Sequence, residues 1–298
     1  MKRIVRGVCT LLSAVMLLST TAMAASVEAN DTRVKGFYNG ENASLQMELA
    51  GRYNSGVMNA DGGSLEIVQY NARNGFAYAV SGVKGTLIAI DLNGGMNGEK
   101  VTALSGTEYD VKSMVRSYGD MTSVAFSPDG TNLAVAIQAE SYNEQGSVAL
   151  FTCQANGALT SPSTVEVGVQ PDMVTFADNN TILTADEGEP RQGTNSTDPK
   201  GSVTIVTIDP DTAKMTAKSV YFDQFDAQRD ALTNAGVLIQ KDTQPSTDFE
   251  PEYIAVSGRT AYVSLQEANS IAVLDIDKAQ FTGVYPLGFQ DYSQTKID

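Results

Sequence analysis

Carboxylates gathered at the ends of β-rich runs are the residues of this chain best suited to chemistry. The stretch DEGEPR (186–191) sets Asp186, Glu187 and Glu189 within four positions, with Gly188 and Pro190 restricting the backbone between them. Glu66, Asp172, Glu250 and Glu252 stand at the starts of other runs, and Glu267 follows the end of one. Like charges brought together this way repel one another unless a cation or an arginine compensates. Their oxygens suit a hard cation, and Ca2+, which takes about six to eight oxygen ligands, is the candidate cofactor. The competing explanation is that these acids cap strands, shape turns or pair with Arg191 and Arg259.

What is missing narrows the chemistry further. The chain contains no histidine and no tryptophan. Ser-His-Asp and Cys-His catalysis, histidine-bound zinc and histidine general bases are therefore excluded. Cys153 lies inside an apolar strand and reads as a core residue, and the glycines at 94, 95 and 98 form a loop without a phosphate-binding lysine. Net charge is −15, which becomes −18 without residues 1–24, because that segment carries Lys2, Arg3 and Arg6 and no acid. Nucleic acid and anionic membranes are bound through cationic patches, so neither is an expected partner.

The elements that must position the acids repeat in a fixed order. First strands read EIVQYN (66–71), SVAFSPDG (123–130), DMVTFADN (172–179) and EYIAVSG (252–258). Second strands read FAYAVSG (76–82), NLAVAIQAE (132–140), TILTADEGE (181–189) and TAYVSLQEA (260–268), and third strands begin at 86, 147, 202 and 270. Fourth strands are weaker, at KVTAL (100–104), STVEVG (163–168), KSVYF (218–222) and FTGVYPLG (281–288). Turn chemistry such as Ser127-Pro128-Asp129-Gly130 separates them. Four short strands per unit, repeated four times, predict an all-β chain folded as a β-propeller of four-stranded blades, with about four blades present. In such a blade, first-strand starts and second-strand ends share an edge, so the acids should meet at one mouth of the central channel.

Outside the repeat, residues 1–24 have a cationic start, an apolar run from Val8 to Leu18 and the small-residue ending Ala22-Met23-Ala24, which predict a cleaved export signal. Residues 25–44 are a polar N-terminal segment, and 45–298 form the propeller. Residues 45–56 add an extra strand expected to complete the last blade. An insertion at 223–247 carries a short surface helix over Asp226–Asn234, closed by Gly236. The mature chain has no apolar stretch of membrane length, so it should be exported, to the cell surface, the periplasm or the medium.

The segments GVQPDMVTFADNNTILTADEGEPR (168–191), DPKGSVTIVTID (198–209), DFEPEYIAVSGRTAYVSLQEANSIAVLDI (248–276) and PLGFQD (286–291) resemble the choice-of-anchor I family over roughly residues 45–298. That family comprises exported bacterial β-propeller proteins, similar also to the mesenchyme-specific cell-surface glycoprotein. The resemblance implies a surface or secreted propeller with an undefined biochemical activity. Against that family the chain looks short, which predicts an open arc of blades in place of a closed ring. The leading functional expectation is a binding module for an unidentified extracellular ligand, with calcium at the acidic face. The alternative is a calcium-dependent hydrolase of lactones or phosphoesters, with one carboxylate as general base.

Overall fold

The computed structural model describes residues 49–60, 63–94, 102–191, 197–291 and 293. The export signal, the polar segment 25–44 and residues 192–196 of the loop after DEGEPR lie outside them.

Strand β1 (Gly51–Arg52) precedes the first blade, which comprises β2 (Val68–Asn71), β3 (Phe76–Ser81), β4 (Thr86–Asp91) and, after the two-residue β5 (Thr102–Ala103), β6 (Gly106–Asp110). A single turn, α1 (Val111–Met114), leads to blade 2, made of β7 (Asp120–Phe126), β8 (Asn132–Gln138), β9 (Gln145–Thr152) and β10 (Ser163–Val169). Blade 3 is β11 (Pro171–Asp178), β12 (Thr181–Asp186), β13 (Ser202–Ile208) and β14 (Met215–Tyr221). A 3₁₀ segment (Asp223–Gln228), α2 (Arg229–Ala235) and α3 (Pro245–Asp248) separate it from blade 4, which is β15 (Pro251–Ser257), β16 (Thr260–Leu265), β17 (Ser270–Asp275) and β18 (Gln280–Pro286). Each blade is a four-stranded antiparallel sheet in which neighbours in sequence are neighbours in space.

The blades stack through apolar faces. Blade 1 packs Tyr78, Val80, Leu87 and Ala89 on Met121, Leu133, Val135 and Ile137 of blade 2. The opposite face of blade 2 meets blade 3, and the far face of blade 3 meets blade 4. A strand packed on both sides has no solvent side, which is why β3, β4 and β12 are almost continuously buried. In blade 4 burial alternates along β16 and β17, as in a sheet with one free face. Among the described residues, no apolar cluster joins blade 4 to blade 1, and the ring is not closed.

Three sequence expectations change. The fourth strand of blade 1 is Gly106–Asp110, not KVTAL; of that stretch, Thr102–Ala103 pair in parallel with Gly51–Arg52. That same pairing takes the described part of the 45–56 strand to blade 1, where Tyr53 and Leu104 cover Ala77, Ala79, Ile88 and Ile90, so it does not complete the last blade. The insertion lies between blades 3 and 4 and is only partly a surface feature. Its helix is Arg229–Ala235, capped by Gly236, and Phe222 and Phe225 reach back into the core. Phe222 stacks on Phe281 of β18 with ring centroids 4.2 Å apart and meets Phe249 edge-on at 5.5 Å.

Candidate functional site

One carboxylate opens the inner strand of every blade. Glu66, Asp120, Asp172 and Glu252 each stand directly before an apolar residue, Ile67, Met121, Met173 or Tyr253. Close to three of these acids the inner strand bulges, between Met121 and Ser123, Pro171 and Met173, and Pro251 and Ile254. A bulge re-aims the side chains next to it, here at the mouth of the channel. Below the mouth is a cavity of about 340 Å³ lined by all four inner strands, including Ile67, Tyr70, Phe126, Met173 and Tyr253.

A second group of acids comes from the loops of blades 3 and 4. Glu187 and Glu189 follow β12, Glu250 precedes β15 and Glu267 follows β16. Gly188 permits this path, because it has φ +63° and a Cβ there would lie 2.8 Å from the Gly201 nitrogen, where the chain returns into β13. Gln170, buried and with φ 54°, ties two rim loops together by donating from Nε2 to the carbonyls of Tyr142 (2.9 Å) and Glu189 (2.8 Å). Its Oε1 is buried with no hydrogen-bond partner among the described residues.

These acids feel one another. Burial, then Asp172, Glu189, Glu252 and Glu250, push the Glu187 carboxyl up to about 9. Glu250 is pushed up to about 8 by burial and by Glu267, Glu189, Asp198 and Asp248. Glu252 rises to about 7 through burial, Glu267, Asp172 and Glu189. Asp172 rises to about 6 through burial, Glu66, Glu189 and Asp120, and burial raises Glu66 and Asp120 as well. At neutral pH the mouth thus holds carboxylates and neutral carboxyls side by side, acceptors beside donors. Little positive charge relieves it. Arg191 lies 3.6 Å from Glu189, whereas Arg259 is at the other end of the blades, between Asp178 (2.6 Å) and Asp277 (2.8 Å). Among the described residues, no three of these side chains already stand in a metal-binding arrangement.

Of the acids read from sequence, Glu66, Asp172, Glu187, Glu189, Glu250, Glu252 and Glu267 belong to this group. Asp186 does not. It is fully buried inside blade 3, where Oδ1 accepts from the Thr184 hydroxyl (2.7 Å) and Oδ2 accepts from Ser202 (2.8 Å) and Thr204 (2.6 Å). The backbone N–H of Gly168 in blade 2 donates to Thr204 Oγ1 (3.1 Å), so this network joins two blades. Burial still raises Asp186 to about 6, against the pull of its hydroxyl partners. Sequence reasoning missed Asp120, having begun β7 at Ser123. The signal that finds it is the acid-apolar pair shared by all four inner strands.

Among the described residues no helix is long and apolar enough to cross a membrane. No curated protein matches the chain. Among solved structures it is similar to the β-propeller domain of Cps50 (Swd1) from Myceliophteria thermophila, at 12% identity over 76% of this chain and 56% of that one, with a TM-score of 0.48. It is also similar to hydrazine synthase from Kuenenia stuttgartiensis (14% identity, 74% and 61% coverage, TM-score 0.47). A third is a putative 6-phosphogluconolactonase from Bacteroides fragilis (13%, 75% and 54%, TM-score 0.43). The chain spans little more than half the length of these proteins, and likeness at this level says nothing of function. The family model of the choice-of-anchor I domain matches residues 66–298, all four blades together with the acids of the mouth, and the chain belongs to that family.

Proposed function

We propose that this protein is an exported or cell-surface propeller module that binds a cationic ligand at the acid-lined mouth of its channel. The observation that carries this reading is the convergence of carboxylates from all four blades on one mouth with Arg191 as the one basic partner paired there among the described residues. Holding such charges together costs stability unless a cation is bound or protons are taken up. The donors are all oxygens, which fits calcium, and Asp172, Glu187, Glu189, Glu250 and Glu252 are the side chains that would hold it. Because they ring the mouth without converging on one point, a bound ion would have to draw them together.

Binding would displace the protons held by Glu187 and Glu250, so affinity should rise with pH and protons should be released. Calorimetric titration with CaCl2, repeated in two buffers of different ionisation enthalpy, tests this. Saturable heat that depends on the buffer, and that is lost in Glu187→Gln with Glu250→Gln, supports the reading. Absence of binding at pH 8 to Ca2+, and equally to a small organic amine, contradicts it. Export is checked by the mature N-terminus, expected at Ala25.

A further inference from the structure

We propose that Gln170 is a ligand of the cation at the mouth, its side-chain oxygen acting as the neutral donor beside the carboxylates of Asp172, Glu187 and Glu189. This rests on cation binding at the mouth and narrows it to the start of blade 3. Gln170 joins β10 to β11 and is 2% exposed. Its Nε2 uses both hydrogens, donating to the carbonyls of Tyr142 (2.9 Å) and Glu189 (2.8 Å). That fixes which end of the amide is which, because the reverse would press Oε1 against two carbonyl oxygens. Oε1 is then buried with no hydrogen-bond partner among the described residues. An unpaired buried oxygen costs stability. So does the backbone here, where φ is 54° at a residue with a Cβ and before Pro171, a place that favours extended conformations. Two such costs meet on one residue, enclosed where blade 2 joins blade 3, and a bound cation offsets them.

The loop that bears the acids lies directly on this residue. The Glu187 N–H donates to the Gln170 carbonyl (2.9 Å) and the Gly188 N–H to the Val169 carbonyl (3.2 Å). Asp172 follows two positions along, in the first turn of the pleat of β11. Among its charged neighbours, Asp172 and Glu189 raise the Glu187 carboxyl most, so the three acids form the closest set around this point. Calcium takes carboxylates and side-chain amide oxygens together. A neutral oxygen adds a ligand without adding to the repulsion among the acids, which a fourth carboxylate at 170 would increase. Since Oε1 is buried, binding requires the Glu187 and Glu189 side chains to turn onto the ion over the bend at Gly188.

The test compares the full chain with Gln170→Met and Gln170→Glu at pH 8. Calorimetric titration with CaCl2 gives the affinity, and luminescence lifetimes of Eu3+ in light and heavy water count the waters left on the bound ion. Both variants lose the N–H bonds to Tyr142 and Glu189, but only methionine also loses the oxygen. Methionine should weaken calcium binding at least about tenfold and leave the ion with more bound water. Glutamate should bind at least about tenfold tighter than methionine, with the parent's water count. A Gln170 that only ties the loops together would weaken both variants alike and leave the water count unchanged, which overturns the proposal. A crystal structure of the calcium-loaded parent should place the ion about 2.3–2.6 Å from Oε1. A water at Oε1, with the ion held by other acids, overturns it whether or not the variants fold. A parent that binds neither ion refutes cation binding at the mouth itself, whereas a parent that binds calcium no better than Gln170→Met refutes the role of Gln170 alone.

Discussion

Removing the Asp186 carboxylate should be among the most destabilising single changes in the protein, and removing only its charge should be far milder. In Asp186→Ala three hydroxyls, on Thr184, Ser202 and Thr204, lose their common acceptor in a fully buried site. A hydrogen bond to a charged group is worth about 1.5–3 kcal/mol. Three of these are offset in part by the carboxylate no longer being desolvated and by hydroxyls turning toward one another, for Thr204 Oγ1 already lies 2.8 Å from Ser219 Oγ. The net expectation is about 3–5 kcal/mol, the range for breaking one side of a buried charged network. Asp186→Asn keeps the volume. Its amide oxygen can take the Oδ2 position, still accepting from Ser202 and Thr204, while Thr184 rotates to accept from the new NH2, so about 1–2 kcal/mol should be lost. Urea unfolding with a common m-value gives both numbers. An alanine variant within about 1 kcal/mol of the parent would refute the network as the tie between blades 2 and 3. Because Asp186 is fully enclosed between blades 2 and 3, neither variant should change the response to calcium or to a chelator; loss of that response would return Asp186 to the binding site.

Three further expectations can be checked by the same unfolding assay. Gly168→Ala should cost at least about 2 kcal/mol, because the added Cβ would lie 2.4 Å from Asp186 Oδ2 and from Ser202 Oγ, both held in the network; a neutral effect would contradict that packing. Phe222→Ala should cost about 3–5 kcal/mol by emptying the space between Phe281 and Phe249, and limited proteolysis should then cut within 223–247 first. Glu187→Gln should raise the melting temperature at pH 8 in chelator, since it removes a carboxyl that burial and four neighbouring acids disfavour in its ionised form; a lower melting temperature would mean that Glu187 holds the mouth together.

The blades were legible because their signals are local: β-branched runs, tight turns and a fixed order. The parts that were not legible depend on contacts distant in sequence. Gly106–Asp110 escaped notice because an outer strand is exposed and GTEYD carries no apolar pattern, whereas KVTAL does. The docking of Phe222 on Phe281 spans nearly sixty positions that nothing in either segment announces. The misplacement of Asp186 was avoidable. Ile182, Thr184 and Asp186 share one face of β12 by the two-residue period, the face packed on blade 2, so Asp186 is enclosed there and the acid left for the mouth is its neighbour Glu187. The mouth itself was predicted from blade geometry, and only the start assigned to β7 kept Asp120 out of it.

The central claim, that carboxylates with little compensating positive charge are held together at the mouth for a cation, is tested most directly by melting temperature against pH with and without calcium. Glu187, Glu250, Glu252 and Asp172 have folded-state pKa values above those of ordinary carboxylates. Between about pH 5 and 9 the folded protein therefore binds more protons than the unfolded chain, and its stability is full at the acid end and falls as pH rises. One extra bound proton gives a slope of about 1.4 kcal/mol per pH unit. In chelator the melting temperature should fall steadily from pH 5 to pH 8, and saturating calcium should restore it, most strongly at pH 8. A melting temperature that is level across this range, with or without the cation, would contradict the account.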